Sequence, residues 1–267
     1  VFPGLRTFLD LYARPSGRLP DFLCLGAQKA GTSTLYDLLR RHPEVALPAG
    51  KEVQYFSRHH HRPLRWYAAR FAGARPDQRA GDLTPYYLFH PEAPGRISEA
   101  LPHARLLVLV REPVARALSG YFHARRHGKE PLPVEAAFEA EEARLRGADL
   151  ALAAPGGRHD AHWWHGYLAR SRYDVQLARY RARFPASQLL VVRSEDLFAD
   201  PEPTWARIQG FLGLTVAPPP VPLPRSNPGR GEAEHVPEAL RARLRASLAP
   251  TYAAMRRDHA IEWPGGG

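Results

Sequence analysis

Lys29 lies within Phe22-Leu-Cys-Leu-Gly26-Ala-Gln-Lys29-Ala-Gly31-Thr-Ser-Thr34, an apolar run followed by a glycine-bounded loop and a helix start. Two glycines enclosing four residues let the backbone curl until its N–H groups converge, and the next helix directs the positive end of its dipole at the same point. This pattern is a phosphate cradle. Nucleoside-triphosphate loops place lysine directly after the second glycine, whereas here Thr32 follows Gly31 and the lysine sits inside the loop. A kinase or ATPase also needs magnesium, held in part by an aspartate at the end of a neighbouring strand. After the apolar run Arg105-Leu-Leu-Val-Leu-Val110 the chain offers Arg111 instead. Arginine repels a divalent cation and presents a forked donor to a phosphate. Ser119, one to two turns into the following helix, adds a hydroxyl. These residues point to a phosphorylated nucleotide held with no metal.

The elements that must carry these groups alternate between strand and helix. Phe22 to Gly26, Arg105 to Val110 and Gln188 to Val192 are near-continuous apolar runs, the signature of strands covered on both faces. Helices are predicted from Thr32 to about Arg41, from Pro113 through Phe122, over Tyr173–Phe184, over Pro203–Leu212 and through Pro237–His259. Lys51-Glu-Val-Gln-Tyr-Phe56 reads as a short apolar-aromatic element. The fold class expected is α/β: a P-loop-like, three-layer α/β/α arrangement around a central, mostly parallel sheet. Residues 1–20 read as an N-terminal arm and 21–267 as one domain with a helical C-terminal part. Residues 217–231, rich in proline, glycine and arginine, read as a mobile segment.

At 267 residues the chain can bury one large core, and its net charge of +10 favours anionic partners without saying which. Only Lys29, Lys51 and Lys129 are lysines, so nearly all the basic charge is arginine, and two of the three lysines fall at the candidate site. The single cysteine, Cys24, excludes an intrachain disulfide and favours a reducing compartment. No run approaches the roughly 18 apolar residues that span a bilayer. A cytoplasmic location is therefore expected, with the Golgi lumen as the alternative if an N-terminal anchor has been removed ahead of Val1.

Taken together, Gly26-Ala-Gln-Lys-Ala-Gly-Thr-Ser-Thr34 and Arg111-Glu-Pro-Val-Ala-Arg116-Ala-Leu-Ser119-Gly-Tyr121 resemble the two donor-binding motifs of sulfotransferases that use 3′-phosphoadenosine 5′-phosphosulfate (PAPS). Lys51-Glu-Val-Gln-Tyr-Phe56, Gly81-Asp-Leu-Thr-Pro-Tyr86, Tyr173-Asp-Val-Gln-Leu177, Glu195-Asp-Leu197 and Phe211-Leu-Gly-Leu214 extend the match in order over roughly residues 20 to 215. The likeness is nearest to the heparan-sulfate N- and O-sulfotransferase type. It implies that Lys29 meets the bridging oxygen between sulfate and 5′-phosphate. Gln28, Ala30, Gly31, Thr32, Ser33 and Thr34 complete the donor loop, and Arg111 and Ser119 hold the 3′-phosphate. Glu52 matches the acidic residue proposed as base, and Lys51 stands beside it to hold sulfuryl oxygens. Arg225-Ser-Asn-Pro-Gly-Arg230-Gly231 loosely matches a loop that closes on the donor, which makes Arg230 a candidate 3′-phosphate contact. Gln54 departs from the pattern, since the heparan-sulfate enzymes often carry a histidine or second acidic residue near that element.

The activity implied is transfer of a sulfuryl group from PAPS to a hydroxyl, in preference to an amine, of a carbohydrate or small-molecule acceptor, releasing adenosine 3′,5′-bisphosphate (PAP). No metal and no covalent enzyme intermediate are needed. A P-loop kinase of a small substrate is the alternative. A nucleic-acid binder would need an aromatic-interleaved basic patch, and the arginines are spread along the chain instead. His59, His60 and His61 lack metal-ligand spacing and stand as acceptor-side candidates. Trp163 and Trp164 either stack on an acceptor or close a core. Tyr173, Asp82 and Thr84 are expected to shape the pocket floor.

Overall fold

The computed structural model describes residues 17–219, 223 and 235–264. Arg230, most of the 217–231 stretch and most of the N-terminal arm lie outside the described residues.

Five parallel strands form one sheet: β1 (Phe22–Gly26), β2 (Val45–Ala46), β3 (Arg79–Leu83), β4 (Arg105–Val110) and β5 (Leu189–Arg193), in the order β2-β3-β1-β4-β5. Strand β1 is buried along its whole length and β4 along all but its first residue, as their unbroken apolar sequences require. β1 pairs with β3 through Phe22↔Gly81 and Leu23↔Asp82, and with β4 through Phe22↔Arg105 and Leu23↔Leu106. Gly81 is dictated by packing, because a Cβ there would lie 2.1 Å from the Phe22 ring.

The chain lays β2 and β3 on one side of β1 and then crosses to place β4 and β5 on the other. Such a switch point opens a crevice beyond the carboxyl ends of the strands, where ligands bind in open α/β sheets. Helix α1 (Thr32–Leu39) leaves the end of β1, and α2 (Pro113–Arg126) leaves the end of β4. Pro113 begins α2, and the Glu112 carboxylate caps it by accepting from the Val114 and Ala115 N–H groups.

Further along, α3 (Asp160–Trp164) and α4 (Tyr173–Arg181) precede β5, and α5 (Ser194–Ala199) and α6 (Pro201–Leu212) follow it. The C-terminal helical stretch is two helices, α7 (Glu238–Ser247) and α8 (Ala249–His259), divided at Leu248 ahead of Pro250; α7 packs on α2 and α8 on α4. The apolar-aromatic element expected at 51–56 is irregular, with Glu52 and Gln54 both at positive φ. Strands β2 and β3 were not anticipated. β2 is two residues long, and β3 reads Arg-Ala-Gly-Asp-Leu.

Candidate active site

The loop between β1 and α1 closes as expected. Ala27 N–H donates to the Leu109 carbonyl at 2.6 Å, tying the loop to β4, and Ala30 N–H returns to the Ala27 carbonyl at 3.1 Å. Gly31 caps α1 at φ 86°, and the helix has no side-chain cap, so its first N–H groups face the loop without a protein acceptor from that residue. Lys29 takes φ 72°. Four non-glycine residues among those described have positive φ, and Lys29, Glu52 and Gln54 are three of them. Side-chain-bearing residues in this region are held there by their surroundings, and such positions concentrate at functional sites.

Lys29 is half-buried, and its pKa is lowered first by burial, then by the charges of Arg126, Arg111, Arg116 and Lys51. Arg111 reaches back to the Lys29 carbonyl at 3.4 Å, and its own backbone is fixed by Tyr173, whose hydroxyl donates to the Arg111 carbonyl at 3.0 Å. The ends of β1 and β4 are thereby joined. Lys51 donates to Ser33 Oγ at 2.8 Å and lies 3.8 Å from Glu52 Oε1. Gln54 Nε2 donates to Glu52 Oε2 at 3.1 Å, while its Oε1 accepts from Ser57 Oγ at 2.7 Å. The residue that departs from the expected pattern is therefore the one that orients the candidate base.

Beneath them, the fully buried Asp82 accepts from Tyr67 and Tyr87 hydroxyls, each at 2.9 Å, and from Thr84 Oγ1 at 2.7 Å. Burial raises its pKa, and the three hydroxyls act the other way. Thr84 Oγ1 in turn accepts from Gln54 N–H at 3.4 Å. Asp82 and Thr84 are thus bonded to the Gln54 segment, and Tyr173 to the backbone of Arg111.

Ser119 is half-buried on α2. Four residues on, His123 stands on the same helix face, where burial and then Lys29, His127, Arg126 and Arg170 lower its pKa to about 4. The Ser119-x3-His123 spacing is a signal that sequence reading passed over. Trp164 stacks on His123 with ring centroids 6.1 Å apart, and Lys129 Nζ lies 5.9 Å from the Trp164 ring centre. Trp163 carries the Arg58 guanidinium at 4.7 Å. Both tryptophans are only half-buried. His59 packs on Trp66 and His61, and His60 on Tyr55, so the rings of the histidine triplet join an aromatic cluster. No group of three or more metal-ligating side chains occurs among the described residues. A surface cavity of about 390 Å³, lined in part by Asp21, Arg79, His103 and Arg105, opens at the amino ends of the strands, away from these loops.

This arrangement gathers Lys29, Lys51 and Arg111 around the N-terminal end of α1, beside the carboxylate of Glu52. The chain matches the model of the sulfotransferase domain over residues 19–225. It is 34% identical over 213 residues to heparan sulfate glucosamine 3-O-sulfotransferase 3A1 of Mus musculus, covering 79% of this chain and 50% of that protein. It is 35% identical over 198 residues to heparan sulfate glucosamine 3-O-sulfotransferase 6 of Homo sapiens, covering 74% of this chain and 53% of that one. The chain thus spans about half the length of the curated relatives it matches. The crystal structure of a sulfotransferase from Alicyclobacillus acidocaldarius superposes with a TM-score of 0.75 at 28% identity, covering 95% of this chain and 99% of that one. With the P-loop-like α/β fold, the cradle at Lys29 and this match over most of its length, the chain belongs to the sulfotransferase domain family.

Proposed function

We propose that the protein transfers a sulfuryl group from PAPS to a hydroxyl of a carbohydrate acceptor by in-line displacement. One observation carries the reading: Lys29 stands in the glycine-bounded loop at the end of β1 with the Arg111 guanidinium on its carbonyl at 3.4 Å, and burial first, then the charges of Arg126, Arg111, Arg116 and Lys51, disfavours its protonated form until an anion arrives. A doubly phosphorylated nucleotide supplies the missing charge at both ends.

PAPS contributes the activated sulfuryl group and a phosphate leaving group. Lys29 donates to the bridging oxygen, where negative charge grows as the bond to sulfur breaks, so its charge counts most in the transition state. Gly31, Thr32, Ser33 and Thr34 supply the backbone and hydroxyl donors to the 5′-phosphate. Arg111 and Ser119 grip the 3′-phosphate from the next strand and helix. Lys51, already bonded to Ser33, neutralises sulfuryl oxygens. Glu52, oriented by Gln54, takes the proton from the acceptor hydroxyl on the side opposite the leaving group. Arg230 remains a candidate 3′-phosphate contact from its sequence context alone.

The half-buried Trp163 and Trp164, with Arg58 and Lys129 over their rings, supply stacking surface and positive charge suited to an anionic sugar. The names of the glucosamine 3-O-sulfotransferase relatives favour a glycan on the same grounds of similarity.

Calorimetric titration with PAP, with and without EDTA, followed by labelled PAPS transfer to heparan-type oligosaccharides, tests the proposal. Metal-independent PAP binding and label incorporation are expected. Magnesium-ATP binding in preference to PAP would overturn it in favour of a small-substrate kinase.

A further inference from the structure

Arg170 is 5% exposed and forms no ion pair with a carboxylate among the described residues, yet it contacts five groups, three of them from distant parts of the chain. One guanidinium nitrogen donates to Gln28 Oε1 in the cradle loop at 3.0 Å. The other donates to the His162 and Trp163 carbonyls at 2.9 and 2.7 Å. Its guanidinium carbon lies 5.1 Å from the Tyr86 ring centre and 4.9 Å from that of Phe89. Burial lowers its pKa to about 10. A buried cation without a counter-ion is costly, and here the compensation comes from carbonyl and amide oxygens and ring faces. The two halves of its fork bond two separate segments: the loop carrying Lys29, and the last turn of α3, which bears Trp163 and Trp164.

We propose that Arg170 is a positioning residue that clamps the cradle loop to the tryptophan-bearing end of α3, so that occupancy of the loop orders the aromatic wall. The geometry excludes lysine as a substitute, since one ammonium cannot span Gln28 and two carbonyls in the plane of a fork. The packing around Arg116 supports the same design. Arg116 fixes the start of this segment by donating to Ser171 Oγ at 2.6 Å and to the Tyr167 carbonyl, while Glu141 accepts from Leu168 and Ala169 N–H groups, each at 2.8 Å. Arg170 is thus presented from a rigid turn, and the loop and α3 are what it positions.

The inference rests on the donor reading of the cradle loop. Its test is PAP titration of the full chain, followed by tryptophan emission, in wild type, Trp163→Phe, Arg170→Met, Arg170→Lys and Gln28→Leu. In wild type PAP should change the emission, and the part lost in Trp163→Phe reports on α3. Both Arg170 variants should bind PAP about 3- to 10-fold more weakly, the range of one ordinary hydrogen bond, because the lost contact acts on the donor only through the loop, and should lose the Trp163 component. Gln28→Leu, on a half-buried loop side chain, should fold normally and lose that component as well, which keeps the test intact if an Arg170 variant fails to fold. A wild-type Trp163 response in Gln28→Leu, or its restoration by Arg170→Lys, overturns the clamp. Failure of wild type to bind PAP instead refutes the donor reading.

Discussion

Replacing Lys29 with methionine removes the cation while keeping most of its volume. The side chain is partly withdrawn from water among four other cations. At an effective dielectric of about 20, a unit charge 4 Å from half a developing charge is worth about 2 kcal/mol. A charge-assisted hydrogen bond adds about 1.5–3 kcal/mol. Together these come to about 3.5–5 kcal/mol, a loss in kcat of roughly 400- to 5000-fold, which overlaps the range seen when one preorganised oxyanion donor is removed. PAP has no sulfuryl bridge to lose, and removing Lys29 relieves repulsion on Arg111 and Arg126, so PAP affinity should fall by less than about tenfold. Initial rates with labelled PAPS, paired with PAP calorimetry, separate the two effects. The pH profile gives a second reading. The protonated amine is the working form and its pKa lies below 10.5 in the free protein, so kcat/KM should fall with rising pH below that value. Anionic donor raises the pKa, moving the limb of kcat to higher pH, and Lys29→Met should lack it. A turnover within tenfold of wild type with normal PAP binding would refute the assignment.

Glu52→Gln should lower kcat about 10²- to 10⁴-fold while PAP affinity stays within a few-fold; unchanged turnover removes Glu52 as base. Gly31→Ala should cost about 1–2 kcal/mol, because φ is 86° and the new Cβ would lie 3.0 Å from the Phe198 ring. A thermal midpoint lowered by roughly 2–8 °C checks it, and an unchanged midpoint contradicts the left-handed geometry. Asp82→Leu leaves the Tyr67, Tyr87 and Thr84 hydroxyls without their shared acceptor and should destabilise the fold by about 3 kcal/mol or more, read from urea unfolding. An equally stable variant would show that the three hydroxyls find other partners.

What the chain dictates by itself is local. Glycines at 26 and 31, the proline that opens α2 and the unbroken apolar runs of β1 and β4 are written in consecutive residues, so the cradle, its position at a strand end and the Arg111 loop were legible. β3 was not, because the burial of Asp82 and the close approach at Gly81 make sense only once Tyr67, Tyr87 and Phe22 stand around them. The irregular path through Glu52 and Gln54 likewise depends on Thr84 and Ser57 for its hydrogen bonds. Arg170 reaches Gln28 across 142 residues of sequence, and His123 acquires its depressed pKa from Lys29 and the arginines that folding gathers beside it. Such groups carry no periodic or spacing signal, since their partners are chosen by the sheet's crossing from one side of β1 to the other. Lys29, Lys51, Arg111 and Glu52 were legible in consecutive residues; tertiary structure alone decided that Gln54 bonds Glu52 and that Arg170 bonds the loop before Lys29.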